Sequence, residues 1–409
     1  MSDVLLRRTG RVGHITLNRP QALNALSHDM CRAIERALDD WADDATVAAV
    51  LIDAAGQKAF CAGGDLQDMY TTGRQGDFAA GRRFWRDEYR LNAKIAVYPK
   101  PYIALCQGYT MGGGVGVALH GSHRVVGESS RIAMPECSVG LVPDVGGTLL
   151  LARAPGRLGE YLGSTGARMG PGDALYAGFA DAYVREAAWP DLRQTLIETG
   201  DPAAIAAVAE PPPEAKFARD QAQIDAAFGS GTPAGIWAAL SATDWGQAVQ
   251  ERLEPSAPLS VAATILLVAS ARAHGSIRQA LEAEYCFTAR SAEHGEFLEG
   301  IRAVWASPYT ERSYRWRQRY LENPENVFPS ILIIPSVDVD HSGVMITKGV
   351  ATGNEDDITL AFSRGAGGAV DGQAAEAYLL DHTGRFMLLS PARERLHRRL
   401  PKTGGSVMI

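Results

Sequence analysis

Phe60-Cys61-Ala62-Gly63-Gly64-Asp65 and Gly108-Tyr109-Thr110-Met111-Gly112-Gly113-Gly114-Val115-Gly116 are the two stretches on which the reading of this chain turns. Neither has the spacing of a dinucleotide fingerprint or a P-loop. Glycine lets a backbone approach a ligand closely, and amides at a helix N-terminus aim free N–H donors at whatever sits there. Two such turns side by side supply the paired donors of an oxyanion hole. The plainer alternative is a pair of turns that need positive φ.

Working outward, strand-like and helix-like patterns alternate. Residues 12–17 read as a strand, Ser27 can cap a helix with Met30, Ile34, Leu38 and Trp41 on one face, and residues 47–52 return to β. A strand over 102–106 follows Pro101 and leads to Gly108, and the glycine run opens a short helical pattern through Val117 and Leu119. This is α/β wiring, without a fixed-period sequence repeat.

After Val184 the strands fade. Pro211-Pro212-Pro213 marks a joint before an alanine-rich stretch, 215–300, that reads as helices, with Trp237, Leu240, Trp245 and Val249 as its apolar spacing. Beyond Trp305 come β-like runs at 330–334, 344–347, 358–362 and 386–389. The expected organisation is an α/β core over 1–205, a helical region of the same unit over 206–304 and a β-rich appended segment over 305–409.

A chain of 409 residues, 46% hydrophobic and 21% charged, exceeds the usual size of one core and lies in the soluble globular range. The net charge of −7 argues against a nucleic-acid or anionic-membrane partner, although Arg315, Arg317 and Arg319, and Arg393, Arg395, Arg398 and Arg399, form local basic clusters. Five widely spaced cysteines fit a reducing compartment with no disulfide framework. The N-terminal residues lack the apolar core of a signal peptide, and apolar runs such as 261–269 are too short to span a bilayer. A cytoplasmic enzyme is expected, and its oligomeric state stays open, a homo-oligomer included. No His/Cys/Asp cluster has metal-ligand spacing, so neither metal nor cofactor is expected.

Ile15-Thr16-Leu17-Asn18-Arg19-Pro20 with Ala22-Leu23-Asn24-Ala25-Leu26 resembles the opening strand and coenzyme A loop of the crotonase superfamily. Residues 58–66 resemble its first oxyanion segment, and Met111-Gly112-Gly113-Gly114-Val115-Gly116 its second. The likeness runs from residue 1 to about 304, and within the superfamily it is strongest to the 3-hydroxyisobutyryl-CoA hydrolase branch. The stretches carrying it are Arg86-Asp87-Glu88-Tyr89-Arg90-Leu91-Asn92, Met134-Pro135-Glu136, Gly140-Leu141-Val142-Pro143-Asp144-Val145-Gly146-Gly147 and Glu296-Phe297-Leu298-Glu299-Gly300-Ile301-Arg302-Ala303.

The resemblance implies a crotonase spiral of repeated ββα units, an acyl-CoA substrate from valine breakdown and the following roles. Gly64 and Gly113 hold the thioester oxygen. Glu136 attacks the carbonyl or deprotonates a water, Asp144 binds the substrate's 3-hydroxyl, Glu88 contacts substrate, and Ala22, Ala62 and Gly64 bind coenzyme A. Each carboxylate has a plainer reading. Glu136 can be a strand-end residue bonded to an amide, Asp144 an N-cap, and Glu88 a solvated charge paired with Arg82 or Arg86. Enoyl-CoA hydratases use two glutamates around one water, and this chain has Gly116 at the first of those positions, which disfavours hydration because glycine cannot serve as a base. A hydratase or isomerase, and a non-catalytic acyl-CoA binder, are the alternatives. Cys137 reads as packing, and His120 and His123 as structural.

From Trp305 onward, Ser342-Gly343-Val344-Met345-Ile346-Thr347 and Gly365-Ala366-Gly367-Gly368-Ala369-Val370-Asp371-Gly372 resemble part of the ATP-binding domain of phosphoenolpyruvate synthases. The upstream half of that domain is missing, and ATP chemistry is not expected.

Overall fold

The structure is a computed structural model that describes residues 2–306 and, beyond them, only six short strands. The chain divides into two compact units, Met1–Val304 and Trp305–Ile409.

In the first unit, β1 (Val4–Thr9) and β2 (Val12–Leu17) form an antiparallel hairpin, and α1 (His28–Ala42) follows. The Ser27 hydroxyl accepts from the Met30 N–H at 3.3 Å, and Met30, Ile34, Leu38 and Trp41 are buried, as the 3.6-residue spacing predicts. Full burial of each such side chain contributes about 1.5–3 kcal/mol. A charge at Ile34 would be the most damaging single change.

Three strand-strand steps come next. β3 (Ala49–Ala54) is followed by β4 (Ala59–Cys61), α2 (Leu66–Arg74) and α3 (Phe78–Ala96). β5 (Tyr102–Cys106) is followed by β6 (Tyr109–Met111) and α4 (Gly113–Ala118). β7 (His123–Val126) is followed by β8 (Arg131–Ala133), a 3-10 turn over Glu136–Val139, α5 (Gly147–Arg153), α6 (Leu158–Thr165) and α7 (Pro171–Tyr176). With β9 (Ala182–Tyr183), the first strand of each step joins a sheet of order β1-β2-β3-β5-β7-β9, parallel from β2 onward. The second strands form a smaller parallel sheet, β4-β6-β8.

From β2 to β5 the large sheet is buried on both faces, which is why those strands read as nearly unbroken apolar runs. Val50, Ile52, Ala104, Cys106 and Val126 face the main core. Ala49, Leu51, Ile103, Leu105 and Val125 face the other way, under Trp189, Leu192 and Leu196 of α8 (Trp189–Thr199).

Residues 209–215, which hold the three prolines, separate α9 (Ala203–Val208) from α10 (Lys216–Phe228). A border at 205/206 therefore falls inside a helix, and the change of character lies at the prolines. α11 (Pro233–Ser241), α12 (Asp244–Leu253), α13 (Pro258–His274), α14 (Ile277–His294) and α15 (Phe297–Ala306) complete the unit, with α13 against α5 and α6, and α14 against α3. Leu240 and Val249 are buried as expected, but Trp237 is half exposed.

In the second unit β10 (His341–Ile346), β11 (Ile358–Arg364), β12 (Glu376–Leu380) and β13 (Phe386–Ser390) form an antiparallel meander. β14 (Arg398–Arg399) and β15 (Val407–Met408) pair separately. Three of the runs expected from sequence coincide with β10, β11 and β13, whereas β12 was not anticipated. The run at 330–334 and the glycines at 365–368 lie outside the described residues.

Candidate active site

The site is assembled where the three parallel strands of the small sheet end. Neighbouring strands lie about 4.8 Å apart, so whatever follows each strand is delivered to one place. After β4 comes Gly63-Gly64, after β6 comes Gly112-Gly113, and after β8 comes Glu136. Gly112 sits at φ 48, ψ −119, a conformation suited to glycine. A Cβ there would stand 2.8 Å from Glu136 Oε1. One on Gly113 would stand 3.3 Å from the Gly64 nitrogen and 2.6 Å from Glu88 Oε1.

The neighbouring amides are committed elsewhere. Ala62 N–H donates to Leu23 O, Leu26 N–H to Gly63 O, and Asp65 N–H to Leu26 O. These bonds lay the 22–26 loop along the first glycine turn, while the Gly64 and Gly113 N–H groups have no acceptor among the described residues. Two such donors lining one cavity are what an oxyanion hole would need.

Ala62, Gly64, Gly113, Glu88, Glu136 and Asp144 line one cavity of about 300 Å³, whose apolar wall includes Leu66, Met69, Phe84, Trp85 and Leu141. Both Glu136 oxygens and Glu88 Oε1 are buried and find no hydrogen-bond partner among the described residues. Burial first, then the charge of Asp144, pushes the Glu136 and Glu88 carboxyls well above the usual range. Asp144 is pushed up to about 6 by burial, against the opposing hydrogen bond from Tyr89.

Asp144 stands on a strained loop. Val145 has φ 54, which is unusual for a β-branched residue and costs about 1–3 kcal/mol. Burial pushes His120 down to about 4, so the ring is neutral, and its Nε2 donates to Val145 O at 2.7 Å. The Tyr89 hydroxyl donates to Asp144 Oδ2 at 2.7 Å. On the far side Glu284 accepts from Gly146 N–H at 2.7 Å, from Thr148 N–H at 3.0 Å and from the Thr148 hydroxyl.

These contacts decide the plainer readings. Among the described residues no amide of another residue bonds the Glu136 side chain, and the Asp144 side chain accepts from the Tyr89 hydroxyl rather than from the turn that follows, where Gly147 N–H bonds the Asp144 carbonyl. Glu88 is buried, whereas Arg82 pairs with Glu293 and Arg86 reaches the Tyr285 hydroxyl. Cys137 packs against Thr264 and the Gly163 carbonyl. Ala22 does not line the cavity; it lies on the loop bonded beside Ala62. A Cβ on Gly116 would stand 2.7 Å from both Asn92 Nδ2 and Val145 Cβ, so a carboxylate side chain has no room there. Tyr89 stood unassigned inside a quoted motif, and nothing near residue 144 in sequence points to Glu284. A wider groove of about 800 Å³, lined by Arg131, Arg168, Lys216, Asp173, Glu214 and Asp220 among others, flanks the starts of β6 and β8 and includes none of Glu88, Glu136 and Asp144.

Residues 12–327 match the enoyl-CoA hydratase/isomerase family. The chain belongs to that family. It has the crotonase fold, and the family's 3-hydroxyisobutyryl-CoA hydrolases are among its relatives. The mitochondrial 3-hydroxyisobutyryl-CoA hydrolase of Gallus gallus is 35% identical over 340 residues, 80% of this chain and 87% of that protein. That of Xenopus tropicalis is 48% identical over 195 residues, 48% of this chain and 50% of that protein. A crystal structure described as an enoyl-CoA hydratase from Rhodobacter sphaeroides 2.4.1 is 51% identical with a TM-score of 0.71, covering 75% of this chain and 90% of that one. Residues 270–389 separately match the AMP/ATP-binding domain of pyruvate phosphate dikinase, overlapping the family match across 270–327.

Proposed function

We propose that this member of the family hydrolyses a short branched 3-hydroxyacyl-CoA, 3-hydroxyisobutyryl-CoA above all, to the free acid and coenzyme A, a step of valine breakdown. The observation that carries the reading is Glu136, which shares one cavity with the Gly64 and Gly113 amides and whose oxygens find no partner among the described residues, while position 116 has no room for the second carboxylate of a hydratase.

The chemistry follows from the placement. An oxygen of Glu136, or of a water that gives Glu136 its proton, bonds to the thioester carbon. Negative charge moves to the carbonyl oxygen, where the Gly64 and Gly113 N–H groups receive it. Collapse breaks the C–S bond; in the water route the departing thiolate takes the proton held by Glu136, and in the direct route it takes one from solvent and a water then hydrolyses the Glu136 acyl anhydride, freeing the acid and the carboxylate. One water is consumed, and no electrons change owner. For that reason we propose that the reaction needs neither metal nor cofactor, and the free cysteines accord with a reducing, cytoplasmic setting. Asp144, one oxygen held by Tyr89, accepts the substrate's 3-hydroxyl, and Glu88 closes the pocket beside Gly113.

The relative described as a hydratase supports a second reading, addition of water to an enoyl-CoA. Incubating the protein with matched acyl-CoA and enoyl-CoA esters separates the two. Free thiol release from 3-hydroxyisobutyryl-CoA is expected; loss of enoyl absorbance without thiol release would replace the hydrolase reading.

A further inference from the structure

Glu284 is a fully buried carboxylate on α14, outside the cavity lining. Its Oε2 accepts from Gly146 N–H, and its Oε1 accepts from both the N–H and the hydroxyl of Thr148. All three donors lie within four residues of Asp144. Between them and Asp144 stands Val145 at φ 54, tied by its carbonyl to His120. The same helix reaches Asp144 by a second route, because Thr288, one turn beyond Glu284, lies 3.1 Å from the Tyr89 hydroxyl that donates to Asp144. A left-handed β-branched residue persists only when its surroundings over-determine it, and three bonds converging on one carboxylate do so here.

We propose that Glu284 is a positioning residue for the hydrolase: by holding Gly146 and Thr148 it locks the loop in the conformation that presents Asp144 to the substrate's 3-hydroxyl. This rests on the reading of Asp144 given above. Glutamine is the decisive replacement, because its single carbonyl oxygen cannot serve both sets of donors and its NH2 meets an N–H head-on.

The experiment measures kcat/KM on 3-hydroxyisobutyryl-CoA and on isobutyryl-CoA, which lacks the hydroxyl, for the full chain and its variants. A helix cap that merely stabilises would leave the ratio of the two unchanged. Glu284→Gln is expected to lower the value for the hydroxylated ester by about 10²-fold, the cost of a misplaced group, and that for isobutyryl-CoA by less than roughly tenfold. Thr148→Val is expected to lower the ratio in the same sense, and Thr148→Ser, which keeps the hydroxyl, to restore it; this pair decides if Glu284→Gln does not fold. Asp144→Asn separates the two layers. Equal losses on both esters in Asp144→Asn would remove the reading of Asp144. A selective loss in Asp144→Asn with an unchanged ratio in Glu284→Gln and Thr148→Val would overturn the positioning role.

Discussion

Two regions of the first unit bury glutamates in opposite ways. In the seam between α6 and α13, Glu160 accepts from Arg272 Nη1 at 2.6 Å and Nη2 at 2.9 Å, and from Arg157 Nη1 at 2.9 Å. Those bonds outweigh its burial and hold it below the usual carboxylate range. In the cavity, Glu136 has no hydrogen-bond partner from another described residue, and burial holds it well above that range. A carboxylate serving the fold is surrounded by donors, whereas one left buried and alone is stable only as the acid or with a ligand beside it.

Exchanging each for its amide tests that contrast. Glu136→Gln is expected to lower thioester hydrolysis on the order of 10³-fold or more while leaving the melting temperature unchanged or higher, since a neutral amide ends both the chemistry and the desolvation cost. Near-normal turnover would remove Glu136 from the reaction. Glu160→Gln should do the reverse, costing about 1–3 kcal/mol in a denaturant titration with kcat/KM kept, because the arginines lose their charged partner. Loss of activity without loss of stability would contradict it.

The contrast also sets opposite pH dependences. Asp144 has a native value of about 6 against 3.8 for the free group, so between those values the native state binds more protons than the unfolded one. Its contribution is present below pH 3.8 and is lost, by ~3 kcal/mol, as pH rises to 6. Glu160 is lowered instead, so its contribution is present above 4.5 and lost as pH falls. Melting Asp144→Asn across pH 4–6 should show a shallower fall in stability than the parent; an identical slope would show that Asp144 is not the group responsible. The smallest effects are expected from chelation and from ending the chain after Ala306, neither of which should change kcat/KM on 3-hydroxyisobutyryl-CoA by more than roughly twofold, since all assigned chemistry lies between Gly64 and Asp144. A metal-dependent rate, or activity lost on truncation, would show up directly in the same assay.

Much of this was legible in the chain. The strand patterns, the Ser27 cap and the two glycine turns follow from local rules, because each is set by residues within a few positions of one another. Glu88, Glu136 and Asp144 came through motif resemblance, and the structure brings them into one cavity with both glycines. What escaped is long-range. Glu284 lies 138 residues from the Gly146 it holds, and no periodicity links the two. Trp237 looked like core because its spacing is helical, but spacing places residues on a face without saying that the face is covered. β12 was missed because Glu376-Ala377-Tyr378-Leu379-Leu380 has too few β-branched residues to stand out.

The reach from Gly146 to Glu284 also bears on biosynthesis. A ribosome adds about 5–20 residues per second, so the glycine turns leave it on the order of ten seconds before the helix that secures the Asp144 loop. A polypeptide cut short between α5 and α14 would carry both glycine turns and all three cavity carboxylates but neither Glu284 nor Thr288, and so would lack the bonds by which α14 holds the Asp144 loop.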